Sequence, residues 1–389
     1  MQIGIVGAPN KGKSTIFSAL TMVEAEIAPY PFTTIKPNVG MAYATRTCVE
    51  KELGVKCAPR NSLCINGVRH MPVGIVDVAG LVPGAHLGKG MGNQFLNDLI
   101  GSEMLIHVVD LSGRTDAEGN PGEGFDPAED VRMVHDEMTA WLSGIVQKHI
   151  KSLSRKSGDG HALFELLSGF NVGEAQVRKA AELSSLGVSN MAWSEEDTVR
   201  FADALLRISK PTIIAANKLD ISKEGALDAL RGKLKGFTVI GCSGAIELAL
   251  KRAGSKGLID YVPGSSSFGI RGDASADQRN ALAYMADYIK RNGGTGVQEV
   301  INTAVFKVLD NVVVYPVEDE NKYTDHFGNV LPDAILMKRG SRALDLAGRI
   351  HTDLAKSMLY AVDARKKMRL GKDYELRDDD VIRIVSAAK

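Results

Sequence analysis

Gln2-Ile-Gly-Ile-Val6, then Gly7-Ala-Pro-Asn-Lys-Gly12-Lys13-Ser14-Thr15, then apolar residues at Ile16, Phe17, Leu20 and Val23: the chain opens in the order strand, loop, helix. The loop fits G-x-x-x-x-G-K-[ST] in the context that pattern requires, where main-chain N–H groups and a helix N-terminus face a phosphate. Asn10, Lys11, Gly12, Lys13, Ser14 and Thr15 are the expected cradle. Within it Lys13 is the point charge for the β- and γ-phosphates, and the Ser14 hydroxyl is a ligand for Mg2+. Alone, a glycine-rich turn of this kind could also arise by chance.

Further elements follow in order. The apolar run Pro72-Val-Gly-Ile-Val leads into Asp77-Val-Ala-Gly80. That places a carboxylate at the C-terminal end of a strand, where the outer shell of a magnesium ion belongs, and lets the Gly80 N–H donate to a γ-phosphate. Met104-Leu-Ile-His-Val-Val-Asp110 reads as another buried parallel strand. Thr212-Ile-Ile-Ala-Ala ends in Asn217-Lys218-Leu219-Asp220. There one carboxylate can accept both N1–H and the 2-amino hydrogens of guanine while the lysine stem covers the base. Adenine lacks that donor pair, so discrimination of roughly 10⁴ is physically reasonable. The run Phe237-Thr-Val-Ile-Gly-Cys leads into Ser243-Gly244-Ala245, whose main chain could meet the base carbonyl.

Composition sets the outer bounds. A chain of 389 residues allows two or three domains. With 44% hydrophobic and 24% charged residues, disordered and fibrous classes drop out. The lack of an 18-residue apolar run or an N-terminal leader pattern points to a protein that is neither secreted nor membrane-spanning, and a reducing cytoplasm is the expected home. Lys plus Arg equal Asp plus Glu at 47 each, which argues against wholesale coating of nucleic acid.

Taken together, these pieces resemble the Obg-type GTPases, and within them the YchF-like branch in its archaeal form, over almost the whole chain. The specific motifs are Asn10 in Gly7-Ala-Pro-Asn-Lys-Gly12, Tyr30-Pro-Phe-Thr-Thr34, Asp77-Val-Ala-Gly-Leu-Val-Pro-Gly84 and Gly88-Lys-Gly-Met-Gly-Asn-Gln-Phe-Leu96. The resemblance implies an α/β P-loop GTPase core, mostly parallel sheet with helices on both faces, that hydrolyses GTP as a conformational switch associated with the ribosome or translation factors. It makes Thr34 the switch threonine that joins Ser14 and Asp77 at Mg2+, with Thr33 as the rival. Lys13, Thr34 and Gly80 are then the catalytic set. Where Ras-like enzymes carry a water-orienting glutamine this chain has Leu81, which can neither donate nor accept, so slow intrinsic turnover is expected. Asn10 resembles an asparagine that ligates K+ in related GTPases, although it could simply close the turn. Many members of the YchF-like branch carry a tetrad ending in glutamate and prefer ATP. The tetrad here, closed by Asp220, is the guanine type, which favours GTP and leaves an ATPase as the alternative.

The expected domains are residues 1–305 for nucleotide and 306–389 for a C-terminal module, with insertions at 46–71 and 114–210. The longer insertion reads as helical, with Asp126-Pro127-Ala-Glu129 opening one helix and Ser194-Glu-Glu-Asp197 another. The shorter holds Cys48, Cys57 and Cys64, whose C-x₈-C and C-x₆-C spacings are poor metal signatures, so the thiols read as ordinary small side chains. From about residue 306, short alternating runs and a helix capped by Ser341 suggest a mixed β-grasp-like module with strands from Phe306 to Val314, Ala334 to Met337, Leu359 to Val362 and Val381 to Val385. It resembles the TGS domain of the same family through Lys338-Arg-Gly-Ser-Arg-Ala-Leu-Asp-Leu-Ala347, His351-Thr-Asp-Leu354 and Gly371-Lys-Asp-Tyr-Glu-Leu376. Residues 338–372 hold ten Lys or Arg against three Asp, and 373–380 hold five acids against one Arg, so Ala364-Arg-Lys-Lys-Met-Arg369 is a candidate RNA contact. Two other functional classes stay open: a P-loop kinase, opposed by the tetrad and both switch motifs, and an RNA-binding scaffold that uses nucleotide as a structural ligand.

Overall fold

A computed structural model describes residues 1–21, 38–78, 80–87, 99–155, 161–188, 191–271 and 274–387. Thr34, with the rest of 30–34, and the 88–96 motif lie outside the described residues. The chain divides into two compact units, one of residues 1–22, 35–41 and 74–300, the other of 23–34, 42–73 and 301–389.

In the first unit the apolar runs form strands because their side chains are buried on both faces. These are β1 (Gln2–Val6), β5 (Met104–Asp110), β6 (Thr212–Asn217) and β7 (Thr238–Gly241), together with the end of β4 (Val68–Asp77). With β2 (Val39–Thr47) the hydrogen-bonded order is β2-β4-β1-β5-β6-β7, and β3 (Leu63–Ile65) pairs with β4. The pairs β4–β1, β1–β5, β5–β6 and β6–β7 are parallel. Their registers set Ile5 beside Asp77, Val6 beside His107 and Asp110 beside Asn217. Loops that carry the candidate site residues therefore leave one edge of one sheet, at the C-terminal ends where α/β sheets bind ligands. Helix α1 (Lys13–Thr21) starts directly from the first of them.

The expected helical insertion is present. Pro127–Arg155 is one long helix, and Glu195–Ser209 begins at Ser194, whose Oγ accepts from the Asp197 N–H at 3.1 Å. His161–Leu167 and Glu174–Leu183 lie between them. Val134, Met138, Leu142, Val146, Val177, Phe201 and Leu205 join in one apolar core.

The second unit carries a sheet of β8 (Asn311–Val317), β9 (Ile335–Lys338), β10 (Met358–Asp363), β11 (Met368–Leu370) and β12 (Asp380–Ser386), in the order β9-β8-β12-β10-β11. Two details correct the sequence expectation. Residues 304–308 are a π-helical turn and not strand, because Asp310 takes φ 47° and the Asn311 Nδ2 caps Val305 O at 3.0 Å. The helix Ala343–Ile350 is capped at Arg342, whose N–H donates to the Asp345 carboxylate at 2.7 Å, so Ser341 sits one residue too early.

Candidate nucleotide site

The loop after β1 owes its shape to three left-handed positions, Gly7 at φ 145°, Asn10 at 59° and Gly12 at 92°. A Cβ on Gly12 would overlap the Asn217 amide, so only glycine fits there. Lys13 opens α1 with its side chain turned back, Nζ donating to Ala8 O at 2.9 Å, and it is only 8% exposed. Burial pulls its pKa below the usual lysine value, and the Asp77 carboxylate opposes that fall. An ammonium held dry at a helix N-terminus is a strong anion site.

Ser14 Oγ donates to Asp77 Oδ2 at 3.0 Å, bringing together residues 63 positions apart. Asp77 Oδ1 is buried without a hydrogen-bond partner, and burial pushes the carboxyl above its ordinary range. A hard divalent cation suits this set of a hydroxyl and a half-satisfied carboxylate oxygen, so Ser14 and Asp77 fit Mg2+. A Cβ on Gly80 would come within 3.2 Å of Lys13 Nζ, so that main chain runs beside the ammonium. Leu81 is 3% exposed and packs into the apolar core with its N–H on Gly7 O, at 3.3 Å. It is a core residue.

Asn217 is a tie between loops. Its Nδ2 donates to Lys11 O at 3.0 Å, and its Oδ1 accepts from the Gly244 N–H at 3.0 Å. Lys218, at φ 63°, donates from Nζ to Asn10 O at 3.0 Å and to the fully buried Asp110 carboxylate at 2.9 Å. Its stem thereby lies along the phosphate loop. The Asp220 carboxylate has no hydrogen bond or ion pair among the described residues, while its carbonyl accepts from Tyr284 Oη at 3.3 Å. At the last loop both expected donors are already used. Ser243 N–H goes to Thr295 O at 2.9 Å, Gly244 N–H goes to Asn217, and Ser243 Oγ caps the next helix by accepting from Ile246 N–H at 3.2 Å. Among the described residues the Ala245 N–H is left to meet a base carbonyl.

Several supports were not singled out from sequence. The Lys11 side chain turns away from the cradle, donating to Thr115 O at 2.7 Å and pairing with Asp130 at 2.7 Å, and it is 1% exposed. Only its main chain is left for a ligand. Asn10 Nδ2 donates to Gly119 O at 2.9 Å, so residues 115–119 of the insertion brace the loop at two points. Glu137 Oε1 accepts from the Gly84 N–H at 2.6 Å, and its Oε2 from His86 Nδ1 at 2.7 Å, fastening the segment after Gly80. The only trace of these in the sequence was an acid in the first turn of a helix and another two turns on. Asp130→Ala is expected to destabilise the chain by about 3 kcal/mol in urea unfolding, because it leaves the buried Lys11 ammonium unpaired. A loss below about 1 kcal/mol would show that Thr115 O alone satisfies that charge.

In the second unit the basic segment is largely occupied. Arg365 pairs with Glu52, Lys366 lies 3.8 Å from Asp363, Lys367 donates to Glu320 O, and Arg369 stacks 4.0 Å over the Tyr360 ring. Arg349 and Lys372 are exposed with no ion pair among the described residues.

Comparison with known proteins agrees with this geometry. Family models match at residues 2–147 (50S ribosome-binding GTPase), 215–319 (Obg-like GTPase YGR210-like, G4 motif-containing domain) and 327–386 (TGS domain). The chain is 51% identical to an uncharacterised GTP-binding protein of Methanocaldococcus jannaschii, over 100% of this chain and 99% of that one. It is similar to the crystal structure of a GTP-binding protein from Pyrococcus horikoshii, at 39% identity and TM-score 0.80 with both chains fully covered. At 28% identity, over 98% of each chain, it resembles a protein of Mycoplasma genitalium named ribosome-binding ATPase YchF. With phosphate loop, guanine-type tetrad and C-terminal domain all matched along its length, the chain belongs to the Obg-type GTP-binding proteins, in their YchF-like branch.

Proposed function

We propose that this protein hydrolyses GTP to GDP and phosphate as a slow, Mg2+-dependent switch that is read out on the ribosome or another RNA. The observation that carries this is the meeting of three groups: Ser14 on Asp77 at 3.0 Å, the buried Lys13 beside them, and Asn217 tying that loop to the base-reading turn. Ser14 and Asp77, with Thr34, would hold magnesium, and the ion would supply positive charge to the β- and γ-phosphate oxygens. Lys13 binds the same oxygens, Gly80 N–H receives the γ-phosphate, and Asp220 selects guanine. Residues 1–305 perform this chemistry, and 306–389 face the partner in the cytoplasm. Among the described residues no helix is long and apolar enough to cross a membrane.

Because Leu81 is a core side chain, water is left to the main chain, another side chain, an ion or a partner. The Asn10 amide nitrogen is anchored on Gly119 O, and its Oδ1 has no partner among the described residues, which suits a K+ ligand. Single-turnover GTP hydrolysis in K+ is therefore expected to be at least about tenfold faster than in Na+, and faster again with ribosomes. Equal rates in both salts would reduce Asn10 to a turn residue. Tight GTP binding without cleavage in any condition would favour the scaffold reading.

For the RNA contact, the free side chains matter most. Reversing Arg349 and Lys372 to glutamate is expected to reduce ribosome co-sedimentation roughly tenfold near 100 mM salt, with a shallower salt dependence. Undiminished binding would place the contact elsewhere.

A further inference from the structure

The three cysteines of the 46–71 insertion, scattered in sequence, converge in space. The Sγ atoms of Cys48, Cys57 and Cys64 and a carboxylate oxygen of Glu50 all lie within 4.8 Å of one another. Cys48 Sγ and Cys57 Sγ are 4.0 Å apart, and Cys64 Sγ is 3.7 Å from Glu50 Oε1. A tetrahedral ion with metal–sulfur bonds of about 2.3 Å spaces its sulfurs roughly 3.8 Å apart, so this set is already close to the geometry of a four-ligand site. A disulfide needs sulfurs about 2.05 Å apart and would leave one thiol of the three unmatched.

We propose that Cys48, Cys57, Cys64 and Glu50 hold a zinc ion that clips residues 48–64 together. Three soft sulfurs with one oxygen favour zinc over magnesium or calcium, and four protein ligands with no open position describe a structural ion.

Two independent features support the assignment. The first is Arg69, which is fully buried, donates from Nη2 to Leu331 O at 2.7 Å and leaves Nε and Nη1 without partners. It pairs directly with Cys64 across the β3–β4 hairpin, and its charge acts on Cys48, Cys57 and Glu50. Three thiolates and a carboxylate around a divalent ion carry net negative charge, and a buried guanidinium offsets it. The second feature is that the loop has no apolar core of its own. Between Glu50 and Val68 no apolar side chain is buried, and small segments without a core are stapled by disulfides or metals. The backbone prepares the cup: Cys48 N–H donates to Gly67 O at 2.8 Å, Cys57 N–H donates to Glu50 Oε2 at 2.9 Å, and a Cβ on Gly67 would press to 3.4 Å from Glu50 Oε1. Sequence spacing hid the site because its ligands come from the end of one strand, a one-turn helix, a loop and a hairpin.

The test uses the full chain purified without chelator or metal-affinity resin. Elemental analysis is expected to find about one zinc per chain, retained in Cys242→Ala and lowered in Cys57→Ser and Cys64→Ser. Outer-shell partners alone are worth 10- to 100-fold in metal affinity, so Arg69→Met is expected to weaken zinc at least about tenfold. Should the cysteine variants fail to fold, cobalt(II) titration of the unmodified apo chain decides the matter through the intense visible bands of tetrahedral thiolate coordination. Lys51 and Lys56 are already exposed, so chelation should act by loosening the backbone and should speed tryptic cleavage after them. No zinc together with no cobalt bands would overturn the proposal, as would a Cys48–Cys57 disulfide in protein kept under argon.

Discussion

Lys13→Ala is expected to weaken GTP binding by about 3 kcal/mol, roughly a hundredfold in Kd, while leaving the chain folded. The ammonium is 8% exposed and its pKa is held down by burial, so in the protein alone it opposes folding. Removing it should leave thermal stability unchanged or slightly raised. The proposed phosphate contact, however, would lose the Lys13 charge, and Asp77 loses the cation that offsets its own burial. Titration calorimetry with GTP beside a thermal melt separates these effects. Unchanged affinity would refute the phosphate assignment. A collapsed melt would make Lys13 structural, the behaviour expected instead of Asp130→Ala.

That contrast between Lys13 and Lys11 marks how far the sequence could be read. Strands were legible because parallel strands buried on both faces are continuous apolar runs, and each ended where a motif began. The phosphate loop was legible because close approach of its main chain demands glycine at fixed places, Gly7 and Gly12 among them. Lys11 and Lys13 are two residues apart in the same motif, yet one meets Asp130 from a helix more than a hundred residues away. No local pattern encodes that pairing. Ser243 and Gly244 were expected to meet the base carbonyl, but their N–H groups are used by Thr295 and Asn217, long-range partners that again leave no mark in the sequence. In the second unit, charge counting found a basic segment without showing that Glu52, Asp363 and Tyr360 already engage much of it. Local chemistry is written in neighbours, whereas a buried polar group is defined by whatever the fold brings opposite.

Asp220→Asn puts the other large effect on the base. The turn that carries Asp220 is fixed just before it, by Lys218 at φ 63° bonded to Asp110 and by the Leu219 N–H on Cys242 O at 3.1 Å. Its carboxylate, free of protein partners among the described residues, can accept two hydrogen bonds from guanine. Each bond to a charged group is worth about 1.5–3 kcal/mol, so the substitution should cost GTP about 3–4 kcal/mol, two to three decades in Kd. An asparagine also turns an NH₂ toward the 2-amino group of guanine, adding donor–donor repulsion. Adenine makes neither bond, so ATP affinity should move by less than about threefold. Xanthine keeps N1–H but replaces the amine with a carbonyl, a match for the asparagine oxygen and nitrogen, so xanthosine triphosphate should regain most of what GTP loses. Equal losses for GTP and ATP with no xanthosine rescue would show that Asp220 does not face the base. If the unmodified chain held ATP as tightly as GTP, the purine would be read by the main chain after Ser243, and hydrolysis would follow the ATPase named among the relatives.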